Sequence, residues 1–419
     1  MRLETIERGL RNLGEEDLQT LAQRFAAAMA KASRPSIRKL ELFITEDCNL
    51  RCDYCWVPKN PRCMTLDIAE RAIDFVLGDL GPADSVEVTL FGGEPLLEFE
   101  LVQRVMSYGA ERARAIGKRV GWALTTNGTL LTPEMVEFAH RHGLNYLLSI
   151  DGIREAHDQH RRFSDGRGSF DEIAKRLPML RNIQGWVGTR MTVTPTNVRY
   201  LRDSVSALVG LGINQFLIGD DVGSRWTRDG IALLQQQWIE VAEIYHNTRS
   251  AGYPIRITAF EDKPGRENRD LTHMWGCEAG RDKIAVMPSG DIYPCARFVD
   301  KAGIQDEFWL GHVDVGIVAE RTRRELTDDR DVIRYRCMRC SERRRCTGSC
   351  PATNYLCTGS PFVAPRFDCT MRKFWGRLRR ERPEFWEVSK IPLEVRAPGF
   401  DEECIPGKHR PLTYCRPLN

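Results

Sequence analysis

Three cysteines stand in the run Cys48-Asn49-Leu50-Arg51-Cys52-Asp53-Tyr54-Cys55, separated by three and then two residues, just after the apolar stretch 40–44. Thiolates are the natural ligands of iron–sulfur clusters, and three of them hold three irons of a four-iron, four-sulfur cube while the fourth iron stays open to an outside ligand. An open iron is a reaction site. Zinc competes poorly here, because a structural zinc site wants four closed ligands in paired loops and no matching fourth Cys or His lies nearby. A second thiol set follows far downstream: Cys277, Cys295, the tight group Cys337, Cys340, Cys346 and Cys350, and then Cys369. A pair of zinc sites would account for Cys337-Met338-Arg339-Cys340 but not for the whole set standing behind the first three thiols.

The elements that must position these thiols show in the hydrophobic pattern. Between residues 39 and 219, β-rich runs at 40–45, 86–91, 121–125, 146–150, 187–193 and 214–218 alternate with helical patterns at 65–79, 98–116, 133–142, 169–182 and 198–210, with another at 227–249. Six strand–helix units predict a parallel sheet with helices outside and ligands at the C-terminal ends of the strands. The polar motifs fall at those ends. After the second strand comes Phe91-Gly92-Gly93-Glu94-Pro95, where two glycines allow the backbone close to a ligand and Glu94 offers an acceptor for an ammonium group. Thr125-Thr126-Asn127-Gly128 ends the third strand and Ser149-Ile150-Asp151-Gly152 the fourth, with short polar side chains suited equally to turns and to sugar hydroxyls. The charged segment His157-Asp158-Gln159-His160-Arg161-Arg162 comes next, and Ser169 is placed to cap the following helix. Between Cys277 and Cys295, residues 286–294 read as a β-hairpin turning at Pro288-Ser289-Gly290-Asp291, which delivers both thiolates to one end.

At 419 residues the chain can bury a substantial core, and its length suggests two or three domains. A net charge of +3, from 61 basic and 58 acidic residues, gives no reason to expect nucleic acid. Residues 1–14 lack the apolar stretch of an export signal, and no apolar run approaches the ~20 residues that span a bilayer. Fourteen cysteines without an export signal argue for a reducing cytoplasm and metal ligation. Leu10, Leu13, Leu18, Leu21 and Phe25 are spaced for one apolar helix face, so residues 1–37 read as a helical cap on the next domain. The barrel is expected over 38–250 and the cysteine-rich domain over 251–374. A charged linker at 261–270 marks the passage between them, and an Arg- and Pro-rich tail at 375–419 reads as a surface cap.

The octapeptide resembles the signature of the radical S-adenosylmethionine (SAM) enzymes, C-x3-C-x-aromatic-C, with Tyr54 at the aromatic position. The downstream thiols resemble the SPASM extension of peptide-modifying members. The resemblance implies an α/β fold, a partial (β/α)6 TIM-like barrel followed by a SPASM iron–sulfur domain with a β-hairpin. It implies a first 4Fe-4S cluster on Cys48, Cys52 and Cys55, whose free iron chelates the amino and carboxylate groups of SAM. Reductive cleavage then gives a 5'-deoxyadenosyl radical that abstracts hydrogen from the substrate. It further implies two auxiliary 4Fe-4S clusters, one on Cys277, Cys295 and Cys350 and an outer one on Cys337, Cys340, Cys346 and Cys369. Gly92, Gly93 and Glu94 match the motif that contacts the SAM amino group. Ser149 and Asp151 match positions at the ribose, with Tyr54 and Asn127 also on the cofactor side. Arg161 matches the carboxylate contact, and Leu217 is placed to pack on adenine. The implied partners are a precursor peptide or protein and a reductant such as flavodoxin or ferredoxin. With about 37 residues before the first strand, no separate leader-binding domain is expected.

Two departures stand out. No cysteine closely follows Cys277, so the fourth ligand of the inner auxiliary cluster is open between none, Cys357, Cys404 and Cys415, while Cys63 reads as a spare thiol. Anaerobic sulfatase-maturating enzymes carry an Asp base just after the second SPASM cysteine, where this chain has Ala296, which accepts no proton. The expected activity is therefore peptide side-chain modification, giving a thioether, a carbon-based cross-link or an oxidation. Formylglycine formation, small-molecule dehydrogenation and simple electron carriage are the alternatives.

Overall fold

The computed structural model describes residues 36–261, 277–299, 305–327, 337, 339–342, 346 and 348–393. The expected N-terminal helix, nearly all of the 261–270 linker, Cys404 and Cys415 lie outside the described residues.

Strand β1 (Lys39–Thr45) is buried along its whole length, as suits a strand covered on both faces. In chain order there follow α1 (Leu66–Asp79), β2 (Ser85–Gly92), α2 (Phe99–Ala115), β3 (Arg119–Thr126), α3 (Pro133–His142), β4 (Leu144–Leu148), α4 (Arg154–His157), α5 (Phe170–Ala174) and α6 (Leu177–Arg181). Then come β5 (Gly188–Val193), α7 (Leu201–Gly210), β6 (Gln215–Asp220), α8 (Arg228–Ser250) and the short β7 (Arg256–Ile257). Strands β1 to β7 pair in sequence order and in parallel, which is the expected partial barrel with one short strand added at its far edge. Three helix starts are set by threonines. Thr65, Thr132 and Thr227 accept from the amides of Ile68, Met135 and Gly230, each cap contributing about 1 kcal/mol.

Alternation along the strands creates two environments. Val86, Val88 and Leu90 of β2 and Met191 and Val193 of β5 belong to the core under the helices. Glu87, Thr89 and Phe91, like Arg190 and Thr192, therefore point to the opposite, inner face, where they are half-buried.

The expected hairpin is present as β8 (Lys283–Val286) and β9 (Asp291–Tyr293). Strand β8 also pairs in parallel with β1, so one sheet runs from the barrel into the cysteine-rich part. Beyond it lie α9 (Gln305–Phe308), β10 (Gly311–His312), β11 (Gly316–Ile317), α10 (Glu320–Thr327), α11 (Pro351–Thr358), α12 (Arg366–Glu381) and α13 (Glu384–Glu387). The sheet ends as β9–β10–β11, antiparallel. Among the described residues no helix is long and apolar enough to cross a membrane.

Three expectations are corrected. The single helix over 169–182 is two short ones, α5 and α6, because Pro178 has no N–H to return to the carbonyl of Ala174. Ser169 does not cap α5; Asp158 does, accepting from the amide of Phe170 at 2.9 Å, while Ser169 donates to the Arg161 carbonyl. The start of the tail is not a surface cap. Helix α12 runs through 375, and Leu378, Phe385 and Trp386 join the main core. Arg249 of α8 donates to the carbonyls of Val388, Ser389 and Ile391, anchoring that segment.

Candidate active site

The three-cysteine loop leaves β1 and is held by the turn after β2. The amides of Gly93 and Glu94 donate to the carbonyls of Thr45 and Asp47, both at 2.8 Å. Gly92 has φ +131°, and a Cβ on it would lie 2.2 Å from the Thr45 carbonyl oxygen; one on Gly93 would lie 1.9 Å from that of Asp47. The close approach that these glycines permit is thus to the backbone carrying the thiols. Glu94 is buried and accepts from Thr126 Oγ1 at 2.8 Å, the Asn127 amide at 2.7 Å and the Leu96 amide at 3.1 Å. Burial pushes its carboxyl up to about 7 despite these donors. Asn127 Nδ2 donates to Asn49 Oδ1 at 2.8 Å and reaches Cys48 Sγ at 3.9 Å, tying the end of β3 to the same loop.

The other side of the loop is fixed from β4. Arg161 and Asp151 form a buried two-point ion pair at 2.9 and 3.0 Å. Asp151 also accepts from the Tyr54 hydroxyl and, at 2.8 Å, from the Thr192 amide. The Arg161 guanidinium lies 5.4 Å from the centre of the Tyr54 ring. Burial alone would raise the Asp151 carboxyl, but Arg161 holds it below the usual carboxylate range. Ser149, half-buried, follows β4, its amide donating to the Thr126 carbonyl at 2.8 Å. Leu217 is buried yet absent from the helix-side core, and it pairs in register with Arg190.

A neutral histidine supports this pair. The Asp151 amide donates to His157 Nδ1 at 3.2 Å, which leaves the proton on Nε2, 2.9 Å from Ser169 Oγ. Burial lowers the His157 pKa to about 3. Between pH 6.5 and 3 the unfolded chain binds a proton that the folded chain refuses, so stability is full above 6.5 and falls as pH drops. From pH 7 to pH 5 the loss is about 2 kcal/mol. Denaturant titrations should show this acid slope in the native protein and a shallower one in His157→Gln; equal slopes would reject the assignment.

The thiols fall into separate groups. Burial, then Cys55 among its neighbours, raises Cys48, and burial, then Cys55 and Cys48 among its neighbours, raises Cys52 to about 11. Burial and then the neighbouring Cys350 raise Cys277 to about 11, and burial, Glu41, Cys277 and Cys350 raise Cys295. After burial, Cys369 feels Cys337, Cys346 and Cys340. Cys357 feels Asp368, Asp221 and Arg297, and Cys63 feels Glu98 and Asp47, so neither joins a group. Thiols become ligands when a metal takes the place of the proton. The surroundings fit such use. Lys59 Nζ donates to Cys55 Sγ at 3.2 Å and the Leu50 amide to Cys48 Sγ at 3.4 Å. Lys283, paired with Glu41 at 3.3 Å, stands beside Cys295 and Cys277. Cys55, Cys277, Cys295 and Cys350 all pack on one apolar cluster that includes Phe43, Met287 and Phe298.

Sequence reasoning missed Lys59, Lys283, Arg190 and Asp220. A single Lys or Arg carries no spacing signal, and only the strand phase would have placed Arg190 on the inner face. Asp220 ends β6 with a buried, unpartnered Oδ1 among the described residues, its carboxyl pushed by burial up to about 7.

The Radical SAM superfamily pattern matches residues 42–208. The chain is 24% identical over 373 residues to the serine-type anaerobic sulfatase-maturating enzyme of Bacteroides thetaiotaomicron, covering 77% of this chain and 88% of that one. It is 27% identical over 366 residues to the AdoMet-dependent heme synthase of Methanosarcina barkeri, covering 79% and 95%. Among solved structures, anSMEcpe with bound AdoMet and the Kp18Cys peptide superposes with a TM-score of 0.65 at 17% identity, covering 84% of this chain and 99% of that one, a likeness of fold.

Proposed function

Since the chain is a radical SAM protein of the SPASM-like family, we propose that it takes a hydrogen atom from a peptide or protein side chain and leaves it oxidised or cross-linked, through sulfur or carbon. The observation that carries this is the inner thiol set, Cys277, Cys295 and Cys350, sharing one apolar cluster with Cys55 of the SAM-type loop. Cys48, Cys52 and Cys55 would hold the cluster that, when bound, supplies the electron for reductive SAM cleavage. Around it, the Gly92-Gly93-Glu94 turn orients the thiol loop and Asp151 and Arg161 fix Tyr54, while Ser149 and Leu217 would line the SAM side. Two further clusters, on the inner set and on Cys337, Cys340, Cys346 and Cys369, would take an electron away. A flavodoxin- or ferredoxin-type reductant supplies the first electron.

Formylglycine formation is disfavoured because Ala296 is buried, carries no base, and has its amide committed to Glu41 Oε2 at 2.6 Å. Anaerobically reconstituted protein given SAM, a reductant and a sulfatase-motif peptide should therefore produce no aldehyde, whereas a short peptide encoded beside the gene should lose a pair of hydrogen atoms by mass spectrometry. Multiple-turnover formylglycine would overturn this reading. Action on a small molecule is the second reading, favoured by the near full-length match to the heme synthase.

A further inference from the structure

We propose that Arg190 and Arg297 form a receptor for a carboxylate on the substrate, a reading that rests on the hydrogen-abstraction function above and narrows its substrate class. Arg190 lies on the inner face of β5, between the core residues Thr189 and Met191, with Leu217 as its register partner. Gly219 of β6 admits its guanidinium: a Cβ there would stand 2.8 Å from Arg190 Nη2. Arg297 enters from the hairpin side, two residues after Cys295, and donates through Nη2 to Thr353 Oγ1 of α11 at 3.2 Å. Arg190 feels the charge of Arg297. Burial, with Arg297 next, pulls the Arg190 pKa down to about 10.

No described residue gives Arg190 a hydrogen bond or an ion pair, while its electrostatic surroundings reach from Asp151 to Cys350. Asp151 is committed to Arg161. Asp220 feels Arg190, but its carboxyl, raised to about 7, is only partly charged near neutrality. A half-buried guanidinium facing a second cation without a full counter-charge is unfavourable until an anion arrives. Planar guanidinium forks match a carboxylate in two-point geometry better than they match a neutral amide. Arg190 shares the inner face of β5 with Thr192, whose amide donates to Asp151 at 2.8 Å. Arg297 is held on Thr353, three residues after Cys350. One guanidinium thus comes from the SAM side and the other from the inner thiol side, both of which the substrate must reach.

The carboxylate has two sources, a Glu or Asp side chain of a peptide or a propionate of a tetrapyrrole, and paired probes separate them. Calorimetry on reconstituted, SAM-saturated protein compares acetyl-Ala-Glu-Ala-amide with acetyl-Ala-Gln-Ala-amide, and protoporphyrin IX with its dimethyl ester. The charged member of one pair should bind at least about tenfold more tightly, and the preference should collapse in Arg190→Gln and in Arg297→Gln, with Arg190→Lys restoring part of it. The pair that shows the preference identifies the source. Equal binding, or none, for both members of both pairs overturns the proposal. So does a weakened SAM affinity in Arg190→Gln with no carboxylate preference in the native protein, which would assign that guanidinium to SAM. Production of 5'-deoxyadenosine by the native protein is scored separately, so failure of the radical chemistry is distinguishable from failure of the carboxylate receptor.

Discussion

Gly93→Ala should lose SAM cleavage by at least about a hundredfold, the scale expected when reacting groups are misplaced by about 1 Å. The added Cβ would lie 1.9 Å from the Asp47 carbonyl oxygen and 2.9 Å from that of Glu46. Both are backbone atoms, so relief requires the thiol loop itself to move. Moving it breaks the bonds from the Gly93 and Glu94 amides that register the loop on the β2 turn. Overpacking of this kind costs about 1–3 kcal/mol, so the fold should survive while the site does not. Gly78→Ala is the matched control: it lies in α1 with nothing within 4 Å of its added Cβ. It should be silent or slightly stabilising. Iron content, circular dichroism and 5'-deoxyadenosine yield measured together decide the matter. Native turnover in Gly93→Ala would show that the turn does not position the thiols.

Much of the barrel was legible because its signals are local. Strand-length apolar runs in β1, β2 and β5 are written into neighbouring residues. What stayed hidden is non-local. The parallel pairing of β8 with β1 joins residues more than 240 positions apart and leaves no trace in either strand's own pattern. Pro178 carries a local breaker signal inside a stretch whose spacing otherwise reads as one helix. Leu378, Phe385 and Trp386 sit among so many arginines that composition hid their burial against the main core.

At the site, the Cys48-Cys52-Cys55 loop was legible from spacing, whereas the grouping of the downstream thiols came from the resemblance alone; the structure brings together Cys277, Cys295 and Cys350, which no local pattern could link. The division of labour around them was not legible. Glu94 reads as an acceptor for an ammonium group, yet its carboxylate is buried and accepts from Thr126, Asn127 and Leu96. Asp151 and Arg161 read as two separate ligand contacts and are found bound to each other. Hydrogen-bond partners distant in sequence decide such roles, and periodicity does not report them.

The central claim is that Cys48, Cys52 and Cys55 form the SAM-cleaving centre and that the other thiols carry clusters of their own. The most direct test is the anaerobic incubation of reconstituted native protein and the Cys48→Ala/Cys52→Ala/Cys55→Ala variant with SAM and dithionite, following 5'-deoxyadenosine and iron together. The native protein should hold about twelve irons and release 5'-deoxyadenosine, and the variant should keep about eight irons and release none. Undiminished 5'-deoxyadenosine from the variant, or a native protein that takes up zinc in place of iron, would contradict the account.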